Sequence, residues 1–183
     1  MIPFAALDKG SELSVLENVI GKQVPQGTPL TLGVGEIVTV TQALGDTVTL
    51  DIGSRLVRIE TEDLAKLGVQ APENTVSDLS ASLESQVWEV LRHSYDPEIP
   101  VNIVELGLIY DLKINDLGDE KEVIIKMTLT APGCGMGPVI ADEVDRKING
   151  LEGIKKVAVE LVWEPMWNRD MMSEEAQLEL GMM

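Results

Sequence analysis

A change of hydrophobic period along the chain restricts its fold more than any other feature. Residues 37–60, IVTVTQALGDTVTLDIGSRLVRIE, carry three short β-branched runs at 37–41, 47–52 and 56–60, separated by the turn pairs Gly45-Asp46 and Gly53-Ser54. After residues 68–78, GVQAPENTVSD, the apolar residues Leu79, Leu83, Val87 and Leu91 recur at four-residue steps. A period of two places side chains on alternate faces of a strand and a period near 3.6 lines one face of a helix, so one element cannot satisfy both. The stretch between them has no period and carries Gly, Pro and Asn, the composition of a linker. We therefore expect a small all-β domain at residues 1–68, a linker at 69–78, and an α/β domain with a C-terminal tail at 79–183. The front module reads as a β meander or barrel, marginal in size for a core of its own, and contains no catalytic motif.

In the second half, the first helix is expected to end near Ser94, because Pro97 disfavours the α conformation at Asp96 and makes YDPEIP a turn. Val104, Leu106, Leu108, Tyr110, Leu112 and Ile114 alternate as in a strand. NDLGDE forms the hairpin loop, and Val123, Ile125, Met127 and Leu129 line the partner strand. Pro138 opens a second helix with Val139, Ile140, Val144 and Ile148 on one stripe, stopped at Asn149-Gly150, and a last strand covers residues 154–163. The order α-β-β-α-β predicts an α+β sandwich with helices on one face of a small sheet. Ser173, followed by Glu174 and Glu175, marks a short terminal helix.

Composition narrows the function classes. Thirty-one acidic residues against 14 basic ones give a net charge of -17, which repels a phosphate backbone, and no basic patch offsets it. Neither nucleic acid nor an anionic membrane surface is an expected partner, and no apolar run approaches the roughly 20 residues of a spanning helix. The start, MIPFAALDKG, lacks the pattern of a signal peptide, and the single cysteine cannot form an internal disulfide; both point to the cytoplasm. With only 3% aromatic residues, the core must be aliphatic.

That cysteine, Cys134, lies in TAPGCGMGPVI, between a strand end and a helix start. Gly133, Gly135 and Gly137 let main-chain N–H groups converge, and the helix N-terminus adds partial positive charge, so the position suits a thiolate acting as nucleophile or metal ligand. The alternative is a small residue packed in a tight turn. Asp96 and Glu98 flank Pro97 and are able to point to one side, as oxygen ligands or an acid/base pair, or else form a solvated turn in which Asp96 caps backbone amides. His93, the one imidazole, is either a ligand or a capping residue near a helix end. In the tail, WEPMWNRDMM sets Trp163 and Trp167 among three methionines; these either cover the sheet edge or form a client or dimer surface.

Three runs, DPEIPVNIVELGLIYDL, MTLTAPGCGMGPVIADEV and VAVELVWEPMWNRDMMSEEAQLELGM, resemble the MIP18 family, formerly the domain of unknown function 59. Within it they are nearest the bacterial SufT group of iron-sulfur cluster assembly proteins, whose members similarly carry a small N-terminal domain. The resemblance spans about residues 77–183 and is weak over the front half. It implies a fold of the iron-sulfur cluster assembly superfamily type and a carrier or targeting role in cluster maturation, rather than an enzyme. By position, the family's acidic turn falls on Asp96, Pro97 and Glu98 and its cysteine on Cys134, with Thr130 just before the loop. Gly135 stands where many relatives have proline, and Pro165, Met166 and Trp167 replace their Pro-Pro-Trp motif. The resemblance implies a transiently held iron-sulfur cluster with Cys134, Asp96 and Glu98 as candidate ligands. A cluster takes about four protein ligands and one chain offers one thiolate, so a stable monomeric cluster is excluded. Two chains bridging a cluster, a small thiol, or a client apoprotein would complete the shell, and the assembly machinery would supply the cargo. The competing readings are a metal-free adaptor for iron-sulfur clients and a thiol enzyme that uses Cys134 as nucleophile with His93 as its base.

Overall fold

The structure, a computed structural model, describes residues 1–73 and 76–182. Asn74 and Thr75 of the expected linker, and Met183 at the end of the expected second domain, lie outside the described residues. The chain divides into two compact units, Met1–Thr75 with Pro97–Pro100, and Val76–Asp96 with Val101–Met183.

In the first unit the strands are β1 (Ile2–Pro3), β2 (Glu12–Ser14), β3 (Val19–Val24), β4 (Pro29–Leu32), β5 (Ile37–Leu44), β6 (Thr47–Asp51), β7 (Leu56–Ile59) and β8 (Val69–Gln70). The β-branched runs at 37–60 become β5, β6 and β7, an antiparallel meander at the centre of a sheet ordered β2-β5-β6-β7-β3-β4. β2, β3 and β4 were not legible as strands, since Gly21, Pro25 and Pro29 interrupt their apolar pattern. The first residues of the expected linker form β8, which pairs in parallel with β1 and buries Val69 completely. Two 3-10 segments, Phe4–Ala6 and Thr61–Leu67, accompany the strands. The core is aliphatic, with Val19, Val48, Leu50, Val57 and Leu64 all fully buried. Arg58 is also buried, its Nε 3.3 Å from Glu60 Oε1.

The second unit contains α1 (Leu83–Arg92), β9 (Ile109–Asp116), β10 (Lys121–Met127), α2 (Gly137–Asn149), β11 (Ile154–Leu161) and α3 (Glu174–Glu179). Its sheet is ordered β11-β10-β9, with β10 antiparallel to β9 and parallel to β11. The molecule is thus mixed α/β. Helix α1 begins later than the leucine spacing suggests: Ser82 Oγ accepts from Ser85 N at 3.2 Å and caps it, while Leu79 stands outside, 72% exposed. The strand expected from Val104 begins only at Ile109. Asn102 Oδ1 accepts from Val104 N at 3.0 Å and Glu105 N at 2.9 Å, and this side-chain cap turns residues 103–107 into a helical bend whose alternation is coincidental. A bulge then leaves Tyr110 unpaired, so that Ile109 lies opposite Met127. Val123, Ile125 and Met127 of β10 are fully buried, as are Val87 and Leu91 of α1 and Val144 and Ile148 of α2.

Helix α2 packs on β11 and α1, and it carries a buried ion pair, Glu143 with Lys147, whose side chains are 1% and 8% exposed. The four-residue spacing stacks them on one helix face. Lys147 Nζ also donates to the His93 carbonyl oxygen at 3.3 Å, which ties α2 to the end of α1. At the start of the unit, Ser77 donates to Glu89 Oε1 from both N and Oγ, at 3.0 and 2.6 Å, and these bonds hold the Glu89 carboxyl below the usual carboxylate range.

The tail folds back on the bend at residues 103–107. Trp167 Nε1 donates to the Leu106 carbonyl at 2.7 Å, Tyr110 Oη donates to the Pro165 carbonyl at 2.7 Å, and Ser173 N donates to the Glu105 carbonyl at 2.9 Å. Gly107, at φ +73°, admits this contact: a Cβ there would collide with the Met171 carbonyl. Ser173 Oγ accepts from Ala176 N at 3.1 Å and caps α3, the short helix expected from Ser173, Glu174 and Glu175.

Three outcomes follow from these contacts. A glutamate-specific protease is expected to cut the native chain first after the exposed Glu73, giving two stable fragments; first cuts after Glu120 in the β9–β10 turn would count against the two-unit division. Lys147→Met strands a buried carboxylate and is expected to destabilise the second unit by about 3–5 kcal/mol in urea unfolding, much of it recovered when Glu143→Leu is added. Gly107→Ala forces a side chain against backbone at positive φ and is expected to cost roughly 1–3 kcal/mol, with the Trp167 indole N–H resonance losing its hydrogen-bonded shift.

Candidate functional site

The loop that holds Cys134 is built by its two ends. On the strand side, Thr128 N donates to the Leu108 carbonyl at 2.8 Å and Leu129 is buried. On the helix side, Met136 is fully buried at the N-terminal boundary of α2, and its carbonyl accepts from Ile140 N at 2.9 Å. Gly137 lets the helix start close against the strand end, since a Cβ there would stand 2.5 Å from Leu129 Cδ1. Between these anchors Ala131, Pro132 and Gly133 are exposed, Thr130, Cys134 and Gly135 are half-buried, and the Cys134 carbonyl accepts from Gly137 N at 3.1 Å. The thiol therefore sits between two buried anchors, next to small, exposed neighbours.

Asp96 and Glu98 occupy different environments. Residues 94–96 and 101–103 form a short antiparallel neck in which Asp96 N donates to the Val101 carbonyl at 3.4 Å, Ile103 N donates to the Ser94 carbonyl at 2.9 Å, and Tyr95 bridges Asn102. Asp96 is buried within this neck. Glu98 is exposed and lies in Pro97–Pro100, the segment that belongs to the first unit, where the Pro97 carbonyl accepts from Thr49 Oγ1 at 3.5 Å.

His93 is the C-cap residue of α1. Its Nδ1 lies 2.8 Å from the Glu89 carbonyl oxygen, which can only accept, so the ring proton resides on Nδ1 in that contact. In the tail, Trp163 and Met166 are 42% and 68% exposed, while Trp167 is half-buried on Leu106. Among the described residues, no group of three or more His, Cys, Asp and Glu side chains is placed to hold a metal ion. Sequence reasoning passed over Met136, the buried anchor of the cysteine loop, and Asn102, the cap that bends residues 103–107. An Asn three residues before Glu105 was the available signal for the latter.

Residues 84–161 match a protein family described as iron-sulfur cluster assembly protein, a span that includes Asp96, Glu98 and Cys134. A Fe-S protein maturation auxiliary factor of Porphyromonas gingivalis is 49% identical over 98 residues, covering 54% of this chain and 90% of the relative. The Fe-S protein maturation auxiliary factor YitW of Bacillus subtilis is 39% identical over 103 residues, 56% of this chain and 98% of the relative. The Fe-S protein maturation auxiliary factor SufT of Staphylococcus aureus is 42% identical over 86 residues, 47% of this chain and 94% of the relative. Likeness at these identities over nearly the whole length of the relatives shows that the chain belongs to the family of iron-sulfur cluster assembly proteins.

Proposed function

We propose that this chain is a maturation factor that receives an iron-sulfur cluster from the assembly machinery and passes it to client apoproteins in the cytoplasm, with Cys134 as the thiolate that holds the cargo. One observation carries this reading: the sole thiol of the chain lies, half-exposed, on a loop anchored by buried Leu129 and Met136, inside the span that matches the family. The relatives' names support the maturation role. Asp96 and Glu98 act as auxiliary oxygen ligands or as supports of the cargo, and Thr130, Gly133 and Gly135 shape the approach to the thiol. The remaining ligands come from Cys134 of a second chain, a small thiol or the client. Incomplete ligation makes the cargo labile, and a client with four cysteines then takes it on ligand number. In this reading the chain carries cargo without turning over a substrate.

The adaptor reading has its own support in the exposure of Trp163 and Met166, which provide apolar contact surface without any metal. Anaerobic reconstitution with iron and sulfide, followed by a client-maturation assay, separates the two. Cys134→Ser is expected to stay folded and to lose both iron retention and maturation, while Asp96→Asn weakens both only in part. At concentrations where the iron-free chain is monomeric, reconstitution is expected to shift the wild type towards a dimer in light scattering, and an unchanged monomer with a full complement of iron would sink the bridging arrangement. A folded Cys134→Ser chain that binds iron and matures clients normally overturns the assignment of the thiol.

A further inference from the structure

Strand β11 ends the three-stranded sheet, and among the described residues no strand pairs with its outer side. The direction of its backbone groups is fixed by the end of the ladder. Val162 N donates to the Met127 carbonyl at 2.8 Å, so by the two-residue period Lys156, Ala158 and Glu160 turn their N–H and C=O towards β10. Val157 and Val159 turn theirs to the open edge. The side chains alternate as well. Val157 and Val159 lie opposite buried Val123 and Ile125 on the core face, whereas Lys156, Ala158 and Glu160 lie opposite Glu122, Ile124 and Lys126 on the other face.

Read about its centre, the segment Lys156-Val157-Ala158-Val159-Glu160 is self-complementary. We propose that β11 is a homodimerisation edge: two copies of this chain pair antiparallel about Ala158 and join their sheets into one six-stranded sheet. In that register Val157 faces Val159 of the second copy twice, and these are the residues whose free backbone groups can exchange both hydrogen bonds. Ala158 faces itself at a non-hydrogen-bonded position, where Cα atoms approach to about 4.5 Å and a small side chain suits the two-fold axis. Lys156 faces Glu160 of the second copy, twice by symmetry. Lys156 already pairs with Glu122 at 2.8 Å, and Glu160 lies opposite Lys126 within the sheet. The dimer would therefore extend a ladder of alternating charge across the seam, from Glu122 through Lys156 to Glu160 and Lys126 of the second copy. Lysines on an edge strand ordinarily oppose pairing with other chains, but in this register Lys156 meets an opposite charge.

Sedimentation of the full chain in chelator, without iron, tests the proposal separately from the cargo reading. The wild type and Cys134→Ser are expected to dimerise alike, since no thiol is involved. Lys156→Glu and Glu160→Lys each set two like-charged pairs across the seam and are expected to weaken the dimer about tenfold or more. An equimolar mixture of those two variants restores opposite charge in both pairs and is expected to regain the dimer. Val159→Pro, which blocks only an outward N–H, is expected to remain folded and monomeric. Cys134→Ser combined with Ala158→Cys is expected to oxidise to a disulfide-linked dimer, because the paired Cα separation suits a disulfide. A wild-type chain that stays monomeric at millimolar concentration overturns the proposal, whether or not the edge accepts a peptide from another protein. So does a charge-variant mixture that associates no better than its components.

Discussion

Strands β10 and β11 run parallel, and a parallel pair cannot be closed by a two-residue hairpin. The chain has to leave the end of β10, cross the sheet and return to the same side, and α2 is the element that makes this crossing. Everything placed around the candidate site depends on that requirement. The loop at residues 130–136 exists because a strand must turn into a crossover helix there, and the space it can occupy is set by buried Leu129 before it and buried Met136 after it. Open α/β arrangements present ligands at the carboxyl ends of strands for the same geometric reason. Cys134 is thus held between two buried anchors and left partly exposed.

The crossover has to be secured, and this chain secures it partly with charge. Glu143 and Lys147 lie in a largely aliphatic interior, and the lysine also satisfies the His93 carbonyl at the end of α1. A buried ion pair gives little net stability compared with apolar packing, but it penalises any arrangement that separates its members. The pair therefore acts on the relative placement of α1 and α2. Because α2 carries the cysteine loop at its start and α1 leads into the Asp96 neck at its end, the contact links the supports of the two family motifs within one unit.

Two further devices complete that unit. The tail closes over the bend at residues 103–107 through backbone carbonyls of Glu105 and Leu106, a use of polar groups that a β-strand would have committed to its neighbours. On the far side, β11 is left as an edge of modest length with charges on one face and valines on the other. An acidic chain of net charge -17 has few basic side chains to spend, and four of its lysines, Lys113, Lys121, Lys155 and Lys156, pair with acids on or beside this sheet.

Much of the architecture was legible because it rests on local periods. The β-branched runs that became β5, β6 and β7, the alternation of Val123, Ile125 and Met127, the stripe of Ile140, Val144 and Ile148, and the Ser173 cap each follow from side-chain spacing or from one capping residue. The motifs around Asp96 and Cys134 were legible as a family resemblance over the second half. What tertiary structure decided were features where a local pattern competes with a distant partner. Leu79 keeps the helical spacing but loses its place because Ser82 caps the helix first. Val104 to Leu108 alternate like a strand, yet Asn102 bends them and the tail covers the bend. Asp96 and Glu98 sit two residues apart in the sequence, but a neck of backbone hydrogen bonds buries one and leaves the other exposed. The direction in which Val157 and Val159 offer their backbone groups is invisible to composition and period alike. It becomes defined only when Val162 bonds to Met127, because a strand has two edges and its sequence does not say which one is taken.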